Sequence, residues 1–525
     1  MKSVFGPMVC LTLALLIVAG CGDPTPIAVS GGNSPATNVP ANVPDDPNQT
    51  PVGPKPQSPY VFGYVGAAFG DLTSDGASQL GLTETAGAAV VEITPGGAAE
   101  QAGLLVKDVV RSADGASVRN TEHMIGIVRA SAGARLGLTV IRAGRASDLA
   151  IQVRQRSIVE DCRKLQADGS AWLVKQQLPN GAWPNVSREV VEADVRPSIS
   201  LTALSLAALS SLPADLRSAH AAAIESTIGY VVAHIQEDGG LLDPEEQSSV
   251  NFRNFATSFA VQAMVALDRA KYGKEIDRMV GFLLKRQIQE SNGFKDMNWE
   301  YGGWNYYEDM RRFSFRTDIV GLALVVRGLA AAGVDLENPC FSRARRFLER
   351  SQNLVTAEQA TPYHDGGFSF NARNSKAGED RVSQQQVVFR SYGSTTCDGL
   401  ASLLHTGAGT TDPRVQAAFR WIQSHFTVRE NPGFRPDATV RYQNGVYYYY
   451  LYSLADALST LGQETVSRPD GTPLYWVRDL VEQLRFLQRG DGSWINELNI
   501  MSEDDPLVAT ALSLRALNSA ARFLR

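Results

Sequence analysis

Asn180-Gly181-Ala182-Trp183, Asp238-Gly239-Gly240, Tyr301-Gly302-Gly303-Trp304, Asp365-Gly366-Gly367-Phe368, Asn431-Pro432-Gly433-Phe434 and Asp491-Gly492-Ser493-Trp494 are six versions of one turn. Successive copies lie roughly 60 residues apart, a spacing within the range of repeat architectures. The segments before the turns, 162–177, 224–236, 276–287, 341–352, 415–425 and 477–488, alternate polar and apolar faces at helical spacing. Each predicts a helix with one solvated side, and five of the six end at a Gln. The segments after the turns, 199–212, 255–267, 319–332, 397–404, 447–461 and 507–517, are apolar nearly all round and rich in Ala, Ser and Thr. Such helices are buried on every side.

Six half-solvated helices and six buried ones are satisfied together by two concentric rings. An open stack of the same repeats would need polar end caps. The expectation for 156–525 is therefore an all-α (α/α)6 toroid, with an inserted loop in the long interval from Phe368 to Tyr392.

The Gln-then-Gly-x-Trp turns resemble the QW repeats of squalene and other triterpene cyclases, whose toroid is shared by protein prenyltransferase β subunits. Gln176/Gln177 with Gly181-Ala182-Trp183 and Gln488 with Gly492-Ser493-Trp494 are the clearest copies. Arg390-Ser391-Tyr392-Gly393-Ser394-Thr395-Thr396-Cys397, Glu430-Asn431-Pro432-Gly433 and Tyr447-Tyr448-Tyr449-Tyr450 are similar to an uncharacterised bacterial branch of squalene-cyclase-like proteins. The resemblance implies a cyclase acid, Asp-x-Asp-Asp, and this chain lacks that motif. Asp504-Asp505 is the nearest carboxylate cluster, at a helix start where acids favour the dipole. The candidate acids are Asp194, Asp318 and Asp505, with Arg196 and Arg316 beside the first two. Arg316, Tyr392, Tyr447 and Tyr449 are candidates to line a central cavity, where aromatic walls suit an apolar or carbocationic ligand. A prenyltransferase would need zinc on Asp, Cys and His. Only Cys397-Asp398 with His405 approaches that set, in the wrong order, so no metal and no cofactor is expected. The Gly-Cys-Gly-Glu-Gln thioester motif of complement-like toroids is also missing.

Ahead of the repeats, 59–155 changes to short alternating strands at 87–93, 107–112, 135–142 and 149–153, with an amphipathic helix from Thr121, its expected N-cap, to Ala130. This order resembles a PDZ domain of the bacterial periplasmic-protease type. Thr94-Pro95-Gly96-Gly97-Ala98-Ala99-Glu100-Gln101-Ala102-Gly103-Leu104, Asp108-Val109-Val110 and Asp114-Gly115 carry the resemblance. Lys107 departs from it, standing where the family has Gly, and should alter a turn. The resemblance implies a loop, here Tyr64-Val65-Gly66-Ala67, that holds a peptide carboxylate, and a helix presenting Met124 and Val128 to the ligand. No Gly-x-Ser-x-Gly accompanies it, so no protease is implied.

Residues 8–18 form an apolar run too short to span a membrane, followed by Val18-Ala19-Gly20-Cys21. The small residues before the Cys resemble a bacterial lipobox, which implies a signal peptide over 1–21 and a lipidated Cys21. The stretch 22–58, rich in Pro, Gly, Asn and Thr, reads as a disordered tether. A net charge of −6, with no dense basic run, argues against a nucleic-acid surface. Cys162, Cys340 and Cys397 read as buried free thiols. The expected protein is thus multidomain: a small β-rich α+β PDZ domain, then the toroid. Its expected place is the cell envelope, lipid-anchored and facing the periplasm or exterior. The expected function is capture of protein C-termini or extended peptides, with a non-catalytic toroid that binds or docks an apolar small molecule or a protein. The alternative is a terpenoid cyclase-like enzyme acting in the toroid, and the weaker one a carbohydrate-active toroid.

Overall fold

A computed structural model describes residues 59–79, 82–185, 196–243, 252–305, 316–354, 364–381, 383–384, 387–435, 440–467 and 471–524. The chain divides into two compact units, Met1–Arg156 and Ser157–Arg525.

The first unit runs β1 (Val61–Tyr64), β2 (Ala67–Asp71), α1 (Ser74–Gln79), β3 (Ala88–Ile93), α2 (Ala98–Gln101), β4 (Val109–Ala113), β5 (Ala116–Ser117), α3 (Thr121–Ala130), β6 (Arg135–Arg142) and β7 (Arg145–Gln152). The main sheet is antiparallel in the order β2-β3-β4-β6-β7, with β5 on β4. Alternation builds it. In β6, Leu136, Leu138 and Val140 point into the core while Arg135 and Gly137 are exposed. The β6–β7 hairpin turns on Ala143 and Gly144, both at positive φ, as a two-residue turn matched to strand twist requires. Helix α3 has the expected bounds, Thr121–Ala130, but a different cap. Asn120, not Thr121, is its N-cap: Asn120 Oδ1 accepts from His123 N at 2.9 Å. Thr121 N instead donates to Asp71 Oδ1 at 2.8 Å, tying the helix start to β2. Lys107 holds φ +74, the left-handed conformation a glycine would adopt, so the turn survives with a lysine in it. The adjoining Asp108 is buried and receives Arg142 Nε at 2.7 Å and Nη2 at 2.6 Å.

The second unit alternates outer and inner helices. The outer set is α4 (Ile158–Lys175), α7 (Ala221–Ala233), α9 (Gly273–Lys285), α11 (Pro339–Ser351), α13 (Pro413–Ser424) and α16 (Trp476–Leu487). The inner set is α5 (Ile199–Ser210), α8 (Arg253–Asp268), α10 (Ile319–Ala331), α12 (Gly393–His405), α15 (Tyr447–Leu461) and α17 (Pro506–Ala520). Short α6 (Ala214–Ala219) and α14 (Tyr442–Gly445) lie between. Inner helices pack in the sequence α5, α8, α10, α12, α15, α17 and back onto α5, which closes the ring. Their all-round apolar faces are used as expected: every residue of α10 from Ile319 to Leu329 is buried. Cys162, Cys340 and Cys397 are buried free thiols. In the long interval after Phe368, Glu379–Arg381 pairs antiparallel with Val387–Phe389.

The recurring turn joins three layers. Gln287 Nε2 donates to Gly302 O at 3.0 Å in its own turn and to Cys340 O at 2.8 Å in the next outer helix. Gln352 repeats this with Gly366 O and Arg414 O, both at 2.9 Å. Gln177 reaches Gly181 O and Ala223 O, at 3.1 and 2.9 Å. Gln488 Nε2 bonds Gly492 O at 2.9 Å and Leu165 O at 3.4 Å, and Leu165 lies in α4, so the last clamp grips the first helix. The aromatic does more than stack. Trp183, Trp304 and Trp494 indole N–H groups donate to Leu173, Leu283 and Leu484 carbonyls on the outer helix before them, at 2.9, 2.8 and 2.7 Å. The turn's backbone N–H is taken by a buried inner-helix Thr: Trp183 N to Thr202, Leu241 N to Thr257, Phe368 N to Thr396 and Trp494 N to Thr510. These bonds satisfy the donors that a buried turn would otherwise orphan.

Candidate functional sites

In the first unit, β2 is the edge of the sheet and α3 packs beside it, on β1 and β2. Between β1 and β2 the chain turns at Val65-Gly66, with Gly66 at φ +75. Ala99 N donates to Val65 O at 2.7 Å, and Thr94 N to Gly66 O at 2.9 Å, so the loop is fixed against the 94–99 segment. Tyr64 is half-buried, Val65 and Gly66 are buried and Ala67 is half-buried. Met124 and Val128, expected to face a ligand, are 0% and 5% exposed and sit in the hydrophobic core with Val65 and Val90. The edge strand keeps Ala68 exposed and Phe69 half-buried. An extended segment laid along β2 would find unpaired backbone on one side and α3 on the other.

In the second unit, a cavity of about 810 Å³ opens among the C-terminal ends of the inner helices. Its wall includes Ala207 of α5, Gln262 of α8, Arg327 of α10, His405 of α12, Asp456 of α15 and Arg515 of α17. Arg327 is 4% exposed and stands inside an otherwise apolar helix. Its Nη2 meets Asp398 Oδ1 at 2.6 Å and its Nε meets Asp456 Oδ2 at 2.6 Å. Tyr449 OH donates to Asp398 Oδ2 at 2.9 Å. Burial drives Asp398 above the ordinary carboxylate value against the pull of Arg327, whereas at Asp456 burial is outweighed by Arg327 and His405 and the carboxyl is held low. Burial also lowers His405, which favours its neutral imidazole. Arg515 Nη2 donates to Gln262 Oε1 at 2.7 Å and to Tyr452 OH at 3.1 Å. A buried pair of this kind is stable only while both partners remain, because either charge alone would be stranded in the interior.

The residues expected to carry chemistry lie at the other end of the inner helices. Asp318 is the N-cap of α10, its carboxylate accepting from Gly321 N at 2.8 Å. Asp505 caps α17 through Leu507 N, also at 2.8 Å. Asp194 lies outside the described residues, as does Cys21. Arg316, Tyr392, Tyr447 and Tyr449 were expected to line a cavity, and none of them lines this one. Arg316 is exposed, and Tyr392 is the residue before α12. Tyr447 OH donates to Val428 O at 2.6 Å, and Tyr449 is turned to Asp398. Helix starts are where acids satisfy free N–H groups, which is why these positions looked chemical in sequence. Of the considered zinc set, Cys397 is buried and Asp398 is bound by Arg327 and Tyr449.

One further acid was missed. Glu503 is 0% exposed and accepts from Tyr447 N, Tyr448 N and Tyr449 N at 2.9, 3.1 and 2.9 Å, and from Asn496 Nδ2 at 2.8 Å. It caps α15 from 56 residues away in the chain. Burial pushes its carboxyl up to about 7 although these four donors pull it down. No local spacing announces a cap supplied from another repeat. The Arg327 cluster did leave a signal: single charges inside helices that are otherwise apolar all round.

Comparison with known proteins agrees with the first unit. The PDZ domain family model matches residues 63–153. A probable periplasmic serine protease do/HhoA-like from Haemophilus influenzae is 32% identical over 119 residues, 22% of this chain and 23% of the relative. A probable periplasmic serine endoprotease DegP-like from Pseudomonas fluorescens is 33% identical over 94 residues, 17% of this chain and 19% of the relative. The chain thus spans about a fifth of the length of the curated relatives it matches. Among solved structures, the HtrA-type protease AlgW with a decapeptide covers 18% of this chain and 30% of its own, at 30% identity and TM-score 0.18. The type II terpene cyclase MstE from Scytonema covers 70% of this chain and 98% of its own, at 13% identity and TM-score 0.43. Residues 63–153 are accordingly a PDZ domain of the kind found in periplasmic HtrA and DegP proteases, and the unit that follows is an α/α ring.

Proposed function

We propose that this protein is a lipid-anchored envelope protein whose PDZ domain captures extended peptides or protein C-termini and whose toroid serves as a second binding domain. The observation that carries the reading is the free edge of β2 beside α3, closed at one end by the pinned Val65-Gly66 loop. Strand addition there supplies main-chain hydrogen bonds, and the loop's backbone N–H groups suit a carboxylate. The periplasmic setting of the matched relatives favours the envelope, and Cys21 supplies the anchor. For the toroid, Asp318 and Asp505 serve as helix caps, which favours binding over the cyclase alternative.

Fluorescence polarisation of the full chain against a library of labelled peptides tests the PDZ reading. Peptides with an apolar C-terminal residue and a free carboxylate should bind at least ~10-fold tighter than the same peptides amidated, the loss expected when a charged hydrogen-bond partner is removed. Equal binding of the two forms, or none of either, refutes it. Replacement Cys21→Ser should move the protein from the membrane to the soluble fraction, and retention at the membrane refutes the anchor.

A further inference from the structure

Among the groups on the toroid cavity wall, two buried nitrogens have no acceptor: Arg327 Nη1 and Arg515 Nε. They belong to one locality. The Arg327 and Arg515 guanidinium carbons lie 5.2 and 5.0 Å from the centre of the same ring, Tyr452. Two cations over one ring repel each other, and the carboxylates nearby are already engaged. Asp398 and Asp456 are bound to Arg327. Arg515, Arg217 and Arg522, all on the wall, are in no ion pair with a carboxylate among the described residues.

One alternative accounts for part of this charge. The inner helices turn their C-terminal carbonyls toward the cavity, and arginines favour such ends. Arg217 Nη1 reaches Ser210 O at 3.2 Å, and Arg515 Nη1 reaches Ala207 O at 3.3 Å. That role uses Nη1 of each and leaves Arg515 Nε and Arg327 Nη1 over. A buried donor without an acceptor is destabilising, so two of them on residues that line an 810 Å³ space point to an acceptor that arrives from outside.

The rest of the wall says what carries that acceptor. Val265, Ala266, Ala330 and Ala331, from the C-terminal ends of α8 and α10, supply apolar wall beside the arginines. The volume falls in the range of small-molecule sites, roughly 300–1,000 Å³, and far exceeds that of a simple ion. Two guanidinium groups gathered over the one Tyr452 ring suit a single anionic group shared between them. Asp456 on the same wall opposes a multiply charged head. We propose that the toroid cavity binds an organic monocarboxylate with an apolar body, its carboxylate held between Arg327 and Arg515 and its body against the Ala-rich ends of α8 and α10. This rests on the reading of the toroid as a binding domain. It is independent of the PDZ groove, so failure here leaves the peptide titration intact.

Isothermal titration of the full chain with octanoate, octanol and inorganic pyrophosphate tests it. Octanoate should bind, with octanol and pyrophosphate at least ~10-fold weaker, since one charge-assisted contact accounts for about that factor. Arg515→Gln should lose at least ~10-fold for octanoate while leaving octanol unchanged. Because Arg515 also braces Gln262 and Tyr452, a second variant, Ala330→Phe, fills the apolar wall without touching the charges, and should also abolish octanoate binding. Native tryptophan emission confirms that each variant is folded. Octanoate heats absent from the native chain, equal binding of octanoate and octanol, tighter binding of pyrophosphate, or unchanged binding by both variants would each overturn the proposal.

Discussion

Two glycines separate steric necessity from backbone preference within one repeat. Gly302 holds φ +90 in its turn and Gly333 holds φ +72 after α10. Replacing either by Ala places a side chain in the left-handed region, at about 1–2 kcal/mol. Around Gly333 nothing lies within 4 Å of the new Cβ, so the cost stops there. At Gly302 the Cβ would stand 2.5 Å from the Arg343 carbonyl carbon and closer still to its oxygen. Carbon contacts settle at about 3.5–4.0 Å, so α11 must retreat by roughly 1 Å, and overpacking of that kind costs about 1–3 kcal/mol. The retreat also pulls Cys340 O from Gln287 Nε2, a bond of 2.8 Å worth about 1 kcal/mol. The expected losses are about 4 kcal/mol for Gly302→Ala and about 1 kcal/mol for Gly333→Ala. Urea unfolding followed by tryptophan emission reads this cleanly, because all seven tryptophans lie between Trp172 and Trp494, within the toroid. Equal midpoint shifts for the two variants would refute the claim that the turn is defined by its approach to the next helix.

Lys107→Gly should stabilise the PDZ domain by up to about 1 kcal/mol, the left-handed strain relieved minus the entropy of a glycine, seen as slower hydrogen exchange in β3 and β4. A destabilised variant would mean that the lysine side chain contributes more than its conformation costs. Glu503 has a folded pKa of about 7 against an ordinary 4.5, so the folded state holds a proton that the unfolded state has released between those values. Stability from this group is present below pH ~4.5 and is lost as pH rises through ~7, by about 3 kcal/mol in all. The difference in unfolding free energy between native protein and Glu503→Gln should therefore shift by about 2.5 kcal/mol between pH 5 and 8, the part of that loss falling in this window, and parallel profiles would show that the carboxyl is ionised throughout.

The repeats were legible because their signals are local. A glycine turn, a Gln 3 to 15 residues before it and, in five repeats, an apolar run beginning 14 to 18 residues after the glycine are all read within one short stretch. The PDZ domain was legible for the same reason: its turns and alternations sit in short segments such as Asp114-Gly115 and 135–142. The wall of the cavity was not, because it is assembled from α5, α8, α10, α12, α15 and α17, and no window holds more than one of them. Arg327, Asp398 and Asp456 are separated by 71 and 129 residues and meet only once the ring closes. Asp318 and Asp505 stand out in the sequence instead, because their position before apolar helices is what capping itself selects. The Thr residues that receive the turn N–H groups were hidden by composition, since Thr202, Thr257, Thr396 and Thr510 look like small packing residues in helices already rich in Ala and Ser.

The clamp from Gln488 to Leu165 joins groups 323 residues apart with the bond type used between neighbouring repeats. The toroid therefore has no chemically special seam, although its chain has two ends. Permuted chains that open between other repeats, with α4 fused after α17, should retain the same set of turn contacts. The folding of the ring should also be limited by that last closure, since contacts of very high sequence separation must form before α4 and α17 can bury each other. A nascent toroid is in this sense an open solenoid with two unprotected apolar faces until its final helix is available.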